Sequence, residues 1–450
     1  MAKYGVDMRE GSVLKNHLRF ALPLMATSVL QLFYNAADQV VVGQFTGSHA
    51  LAAIGATGSL NLLIINLFMG LAVGAGIVIS RKYGAGDIYG LNKTAHSAIG
   101  ISFIMGFVAM IVGLIFCRPL LIVLGTPETV IDLSVLYMRI LFVGAPFVMV
   151  YNFGASILRA VGDTKRPLYI LSATGIVNVV LNLILVIFFH MGVAGVAIAT
   201  ITANCLSASA VLYTLCKSDA PYRINFKNIR IFKDDVLDFV KIGLPAGVQS
   251  VMFNISNAAV QSAVNGLGTV VMAANTAVGS IDGFVYVSTN AFYQSTLTSV
   301  GQNYGAKNKK RIYKTLWVGI CCSALTGLIL SILFVAFGEQ LLGIYIADNP
   351  EAIKVGVSRM VITTLPYFLI AIMEQFGALL NGLGKAMYSA VNAFVGTCLL
   401  RVAWIMFVFP LYRTFNSINI VYPVSWIATI ILHVVVFLFI KKKAMAQMRA

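Results

Sequence analysis

The sequence predicts an all-α polytopic membrane protein, with twelve transmembrane helices in two six-helix lobes related by a pseudo-two-fold axis. Its composition is the first reason: 59% of the 450 residues are hydrophobic, 11% are charged, and the mean hydropathy is +0.88. Charged residues make up about a quarter of a soluble domain. Apolar runs of the roughly 20 residues that cross a bilayer recur along the chain. The third reason is an internal repeat that relates the two halves.

The apolar runs define twelve spans, and the basic residues between them predict the orientation. Of the 32 Lys and Arg residues, 26 belong to one side, in or next to the two tails and alternate gaps, and five belong to the opposite side. Because positive charge stays on the cytoplasmic side, both termini are predicted in the cytoplasm of a multi-pass inner-membrane protein. Because the basic residues fall almost entirely in the gaps between spans, they also argue against nucleic acid as a partner. The predicted spans are 18–43, 51–80, 93–116, 132–158, 168–190, 192–216, 238–264, 271–300, 312–337, 355–383, 386–412 and 417–440.

The repeat has a spacing of about 222 residues and sets the domain organisation. The string NAADQ at 35–39 is echoed by NAAVQ at 257–261, and each follows a Leu-Pro pair. Parallel six-span repeats are expected to be related by an axis along the membrane normal, with the transport site between them. The predicted domains are an N-lobe at 1–216, a cytoplasmic linker at 217–237, a C-lobe at 238–440 and a basic cytoplasmic tail at 441–450.

Membrane depth selects three of the sixteen acids, and Asp38 in the first span is the strongest candidate. A carboxylate at the centre of a spanning helix costs about 2.5–3.5 kcal/mol, so it marks a pathway more often than it is tolerated by accident. Gln31 and Asn35 share its helix face. We expect Asp38 to couple transport to a proton or cation; the alternative is a neutral Asp that is hydrogen-bonded to a neighbouring helix for packing.

The other two interior acids, Asp282 and Glu374, are candidates for the wall of a substrate cavity that attracts cations. The alternative is a satisfied buried acid, paired with Arg401, the one Arg placed in the middle of a span. Aromatic side chains could stack on flat organic cations. The predicted cavity residues are Asp282, Glu374, Tyr286, Asn257, Gln261 and Tyr34.

The remaining motifs predict a transporter and not an enzyme. There is no P-loop, no zinc-protease or serine-hydrolase motif and no metal-like Cys or His spacing, so no cofactor or structural metal is expected. The six Cys residues are predicted to be free thiols. His190 and His433 lie near span ends and are predicted to be interfacial. Prolines that recur in both halves are candidate bending points: Pro23, Pro146, Pro245 and Pro366.

Several strings together resemble the multidrug and toxic compound extrusion (MATE) family over essentially the whole chain. They are DQVVVGQFTGSHALAAIG from Asp38, YGAGD, SVGQNYGA and RAVGDTKRP. The resemblance implies a V-shaped antiporter that exports organic cations in exchange for protons or sodium ions. It also implies that Asp38 is the first-helix acid, and that Asn178 and Asn182 are the polar pair of the fifth helix.

The resemblance leaves the coupling ion and one alternative function open. Some relatives have an acid at the position of Asn182, and the sodium-coupled branch has a seventh-helix acid that residues 239–264 lack. These departures favour protons, with a sodium ion near Asp38 or Glu374 as the alternative. A lipid-linked oligosaccharide flippase of the same superfamily should carry clustered basic residues inside its cavity, whereas three interior acids against Arg401 favour cationic cargo. A channel or receptor is the third hypothesis. We expect a monomer whose partners are small cationic substrates and membrane lipids.

Overall fold

The computed structural model describes residues 5–46, 48–123, 125–346 and 349–446. Side chains at 37–40, 42–43, 48–49, 51–52, 59–64 and 443–446 lie outside this description. The described residues form sixteen α-helices and no strand. The first half holds α1 (Val13–Phe45), α2 (Ser48–Ala85), α3 (Ile88–Val123), α4 (Glu128–Val143), α5 (Ala145–Ala160), α6 (Lys165–Leu183) and α7 (Gly192–Cys216). The second half holds α8 (Lys233–Asn265), α9 (Thr269–Gly305), α10 (Lys309–Ala336), α11 (Gly338–Tyr345), α12 (Pro350–Thr363), α13 (Tyr367–Gly382), α14 (Ala386–Ala393), α15 (Leu400–Ala403) and α16 (Phe415–Ala446).

The predicted fold class is confirmed, because each of the twelve predicted spans coincides with a helix, with a bent helix pair or, for 386–412, with α14 and α15, which π-helical turns join into one continuous helix, Ala386–Val408. Nine helices of the described chain are long and apolar enough to cross a membrane. Two bent pairs, α4–α5 and α12–α13, raise this number to eleven. The remaining span is α1, whose 33 residues include the polar Gln31, Asn35 and Asp38.

The two bent pairs occupy corresponding places in the two halves. The axes of α4 and α5 differ by 48°, and those of α12 and α13 by 43°. Pro146 stands at the start of α5 and Pro366 directly precedes α13. Proline has no backbone N–H to continue the preceding helix, so these predicted bending points do break their spans. Pro23 and Pro245 lie inside α1 and α8.

The turns between the helices also correspond between the halves. Gly86 has φ +69° and precedes Asp87, whose Oδ1 accepts the N–H of Gly90 at 2.8 Å at the start of α3. Lys307 has φ +55° and precedes Asn308, whose Oδ1 accepts the N–H of Arg311 at 3.1 Å at the start of α10. In both turns a left-handed residue ends one helix and a polar side chain caps the next.

The helices group into two compact units. The first unit contains residues 1–7 and 26–247, and the second contains residues 8–25 and 248–450. In the first unit, α2 and α8 approach closely where Gly70 and Gly74 face Gly243 and Gly247. A Cβ on Gly70 would lie 2.6 Å from the Cα of Gly247, so the two backbones touch because these positions carry no side chain.

The start of α8 and the preceding segment pack against α3. Asp235 is only 6% exposed, and its carboxylate accepts the hydroxyl of Thr94 at 3.0 Å and that of Ser97 at 2.9 Å. Asn225 donates its N–H to Nε2 of His96 at 3.0 Å. An acid that the sequence placed in a polar gap is therefore buried in a helix–helix contact.

Candidate functional site

The predicted coupling face lies on α1, between Pro23 and the end of the helix. Gln31 and Asn35 are exposed on this helix, one turn apart. Asp38 lies one turn further along α1, and its side chain lies outside the described part. Tyr34 donates its hydroxyl to the carbonyl of Ser172 on α6 at 3.2 Å, and its ring covers Gly175. The first helix is thus attached to α6 through Tyr34.

The predicted polar pair on α6 forms a buried ladder to α7. Asn182 donates to Oδ1 of Asn178 at 3.3 Å, and Asn178 donates to the hydroxyl of Thr200 at 3.4 Å. One turn earlier on α6, the hydroxyls of Thr174 and Ser207 lie 2.8 Å apart. Both asparagines are buried, at 7% and 0% exposure. These bonds between helices give the pair a packing role within the first unit.

Asp282 on α9 is buried and paired, but with a different partner from the one the sequence suggested. Its Oδ2 lies 3.5 Å from the guanidinium of Arg359, and its Oδ1 accepts the hydroxyl of Thr364 at 2.6 Å. The suggested pairing with Arg401 is therefore wrong. Thr364 lies at the break between α12 and α13, so one carboxylate binds both α12, through Arg359, and the residue that directly follows this helix.

Arg359 is a functional-site candidate that the sequence analysis missed. It is 5% exposed, although its position near the start of the tenth span placed it among the residues of a gap. It donates to the carbonyl of Asn275 at 2.7 Å. Asn275 donates in turn to Gln261 at 2.7 Å, which connects a predicted cavity residue on α8 to the ion pair.

Glu374 on α13 faces α9 and is incompletely satisfied. It lies within hydrogen-bonding reach of Tyr286 and Asn290. Its Oε2 is buried and has no hydrogen-bond partner among the described residues. Tyr286 is 39% exposed, so this carboxylate lies beside a side chain that reaches the surface of the second unit. A buried acid with one unfilled oxygen can take up a proton or a cation.

Tyr367 connects the two interior acids and was not among the predicted cavity residues. It is 9% exposed, lies two turns before Glu374 on α13, and lies near both Asp282 and Glu374. Its ring packs edge-on against Trp426 at 5.5 Å. Its spacing of seven residues from Glu374 was the sequence signal that could have identified it.

Two further predictions are corrected or located by the structure. His433, predicted to be interfacial, is 2% exposed on α16, and its Nε2 lies near Gly377 of α13, so its ring faces the protein interior. Asn257, predicted in the cavity wall, accepts a hydrogen bond from Arg401 at 2.7 Å. Within the described part of the chain, no three His, Cys, Asp or Glu side chains come together at one point. Sodium binding near Asp38 or Glu374 stays a prediction.

Comparison with known proteins identifies the family. The MatE family model matches the chain twice, at residues 23–184 and 245–407. The chain belongs to the MatE family. The two matches are displaced by about 222 residues, as the repeat predicted, and this MatE protein is thus a multi-pass membrane transporter.

Named relatives and solved structures agree with this assignment. The protein is 26% identical to "Probable multidrug resistance protein YoeA" of Bacillus subtilis, over 96% of this chain and 95% of the relative. It is 23% identical to "Multidrug export protein MepA" of Staphylococcus saprophyticus, over 88% of each chain. A crystal structure of MATE in the bent conformation shares its fold with a TM-score of 0.89, 23% identity, and coverage of 100% of this chain and 99% of that one.

A second solved structure has the same fold and a different suggested role. It is a transporter of the wider MOP superfamily from Pyrococcus furiosus, with a TM-score of 0.91, 23% identity, and coverage of 100% of this chain and 99% of that one. Its description states that the reverse polarity of its binding pocket suggests a different function. The charge inside the pocket, and not the fold, therefore has to decide what this MatE protein carries.

Proposed function

We propose that this protein is a secondary active antiporter that exports organic cations and drugs across the cytoplasmic membrane in exchange for protons or sodium ions. The observation that carries the proposal is the Glu374 carboxylate, with one buried oxygen unfilled and Tyr286 and Asn290 beside it. A cation can be attracted by this charge and stacked on the aromatic ring. The names of the multidrug relatives support the same class of cargo.

The coupling step is assigned to the α1 face, with Asp38 as the group that gains and loses the ion. Asn35 and Gln31 lie one and two turns before it on the same helix, and Tyr34 attaches that helix to α6. Neutralising Asp38 removes a charge from the first unit and so alters which packing of α1 against α6 is favoured. One charge crossing 100 mV supplies about 2.3 kcal/mol, and each pH unit about 1.36 kcal/mol.

The second candidate remains a lipid-linked oligosaccharide flippase, and one observation favours it. The balance of three interior acids against one Arg was wrong, because Arg359 is buried as well as Arg401. Asp282 neutralises Arg359, but Arg401 has no carboxylate partner among the described residues. Export of cationic cargo remains the first candidate function, because the second unit also contains the acid Glu374.

Dye export by purified protein in liposomes tests the proposal. Proton and sodium gradients are imposed separately, with protein-free liposomes as the control. An antiporter exports a cationic dye only under the gradient of its coupling ion and stops when an ionophore collapses that gradient. Dye export that ignores both gradients would contradict antiport. Flipping of a lipid-linked sugar, without any dye export, would establish the second candidate instead.

The location and assembly of the protein are part of the same proposal. We place both termini in the cytoplasm and expect one chain to transport by itself. Labelling of single cysteines introduced at exposed Asp219 and exposed Lys354 in intact cells tests the orientation. A membrane-impermeant reagent should label only position 354.

A further inference from the structure

The beginning of α1 belongs to a different unit from the rest of this helix. Residues 8–25 group with the second unit, and α1 continues in the first unit from residue 26, shortly after Pro23. The predicted coupling acid, Asp38, therefore lies on a helix whose first part is grouped with the unit that contains Glu374. An element that belongs to two units can carry an effect from one of them to the other.

One arginine fastens the segment before α1 to the second unit. Arg311, in the first turn of α10, donates from Nε to the carbonyl of Met8 at 2.7 Å. Its two terminal nitrogens donate to the carbonyls of Gly11 and Glu10 at 2.8 Å and 2.6 Å. A guanidinium presents its donors in a rigid planar fork, so these bonds hold the segment in one conformation. We call Arg311 and residues 8–11 the N-terminal clasp.

The end of α9 completes the attachment of Met8. Its N–H donates to Oε1 of Gln302 at 3.0 Å, and its carbonyl accepts a second bond from Asn303 at 3.0 Å. Met8 is 1% exposed, and Gln302 and Asn303 are fully buried. Hydrogen bonds in a buried environment are electrostatically stronger than those in water. The N-terminal clasp is therefore built into the second unit and does not lie loosely on its surface.

The attachment continues from the first turns of α1 towards the cation site. His17 on α1 is fully buried, and its Nε2 lies 3.3 Å from the hydroxyl of Thr296 on α9. That hydroxyl donates to Oε1 of Gln375 on α13 at 2.5 Å. Gln375 directly follows Glu374 in the sequence. Packed polar side chains thus connect the start of α1 to the helix that carries the proposed cation-binding acid.

The repeat shows the same exchange at α8. This helix is grouped with the first unit up to Gly247 and with the second unit thereafter, shortly after Pro245. Its start is fastened to α3 by the carboxylate of Asp235, which binds two hydroxyls. Each half of the repeat therefore gives the beginning of its first helix to the other unit. The fastenings differ chemically, so a substitution of Arg311 loosens the start of α1 and leaves that of α8 intact.

We propose that Arg311 is a positioning residue for ion coupling, because it fixes the start of α1 on the second unit. This inference rests on the proposed export function. When Asp38 gains its ion, the packing of α1 in the first unit changes. With its start fixed, α1 passes this change to α9 and α13; without the clasp, the change is lost as free movement of the N-terminal segment.

This role predicts a loss of coupling and not a loss of binding. Coupling between two sites is a free energy that both ligands share, so it disappears for both when the connection is cut. Without the N-terminal clasp, the protein should still bind its ion at Asp38 and its cation at Glu374. The ion gradient should no longer drive the cation out.

A comparison of gradient-driven export with exchange tests the proposal. Liposomes contain wild-type protein, Arg311→Gln, Arg311→Lys or Lys310→Gln, and the probe is radiolabelled ethidium, a flat organic cation. Export is measured under a proton or a sodium gradient, and exchange is measured without any gradient, as counterflow of labelled against unlabelled ethidium. We expect Arg311→Gln to lower gradient-driven export at least about fivefold and to leave exchange within about twofold of the wild type.

The other samples separate coupling from stability. Arg311→Lys keeps the charge but not the fork, so its loss of gradient-driven export should be intermediate. Lys310→Gln removes the exposed charge of the neighbouring residue and should match the wild type. In wild-type protein, backbone amides at 8–13 should exchange slowly with deuterium with or without ethidium, a test that remains if the Arg311 variants do not fold.

Three results would overturn the proposal. They are an equal loss of export and exchange in Arg311→Gln, unchanged gradient-driven export in this variant, and rapid deuterium exchange at Met8 in the wild type. A wild-type protein that exchanges ethidium but exports none under either gradient would overturn the export function itself.

Discussion

At the scale of the residue, the second unit contains two buried arginines with different surroundings. Arg359 faces Asp282 across 3.5 Å, and Asp282 also accepts a hydrogen bond from Thr364. Taking two charges out of water is costly, and removing one partner leaves the other uncompensated. The effect of this ion pair on stability is therefore largest when one partner is removed and the other is left buried and charged.

This gives a prediction for single and double substitutions of the pair. Asp282→Asn should destabilise the protein by about 3–5 kcal/mol, because Arg359 stays charged without a counter-ion. Arg359→Gln should cost less, since Asp282 can then take up a proton. The double variant should cost less than the sum of the two, and thermal unfolding in detergent measures all three. Additive effects would show that the two side chains do not interact.

Depth in the membrane predicted the interior acids but not their partners. Asp282 and Glu374 stand out because a carboxylate inside an apolar run is energetically costly unless it is paired or faces water. Arg359 was missed because it is the fifth residue of its predicted span, where an Arg can reach the interface. Whether it turns inwards depends on the bend after α12, which the sequence indicates only through Pro366.

At the scale of the element, the clearest features are the breaks and turns that recur in both halves. Pro146 and Pro366 were predicted bending points, and the structure has bends of 48° and 43° at these two positions. The YGA strings at 83–85 and 304–306 stand at the ends of α2 and α9, and each is followed by a left-handed residue and a helix cap. Local chemistry determines these elements, so they could be predicted from the sequence.

The paired turns give a matched prediction. Gly86 and Lys307 have nearly the same φ, but a side chain in the left-handed region costs about 1–2 kcal/mol. Lys307→Gly should therefore stabilise the protein by about 0.5–1 kcal/mol, and Gly86→Ala should destabilise it by about 1 kcal/mol. A Cβ at Gly86 would meet nothing within 4 Å, so the second effect comes from the backbone alone.

Thermal unfolding temperatures of the two variants check this prediction. The shifts should have opposite signs. Two variants with the midpoint of the wild type would mean that neither turn holds its left-handed residue in solution.

Contacts between distant segments could not be predicted in the same way. Asp235 looked like an ordinary acid of a polar gap, yet the hydroxyls of Thr94 and Ser97 bind it 141 and 138 residues earlier in the chain. Nothing in the local pattern of either segment shows that pairing. The buried position of His433 depends likewise on how α16 packs against α13.

At the scale of the whole molecule, the repeat explains why one sequence contains two bent spans, two capped turns and two matches to the same family model. The fold follows from this repeat and from hydropathy. Function does not follow from the fold, since a structure with the same fold is described as having a pocket of reversed polarity. The charges inside the protein therefore decide which cargo it carries, and those in the second unit have both signs.

Antiport by this protein depends above all on Asp38 as the coupling group. The most direct test is gradient-driven dye export by Asp38→Asn in liposomes, compared with wild type and with Asp219→Asn, which neutralises an exposed acid. Dye binding to each purified variant shows that the second unit is intact. We predict that Asp38→Asn binds dye but no longer exports it in response to a proton or sodium gradient, while Asp219→Asn behaves as wild type. A folded Asp38→Asn protein that exports dye at the wild-type rate would contradict the account.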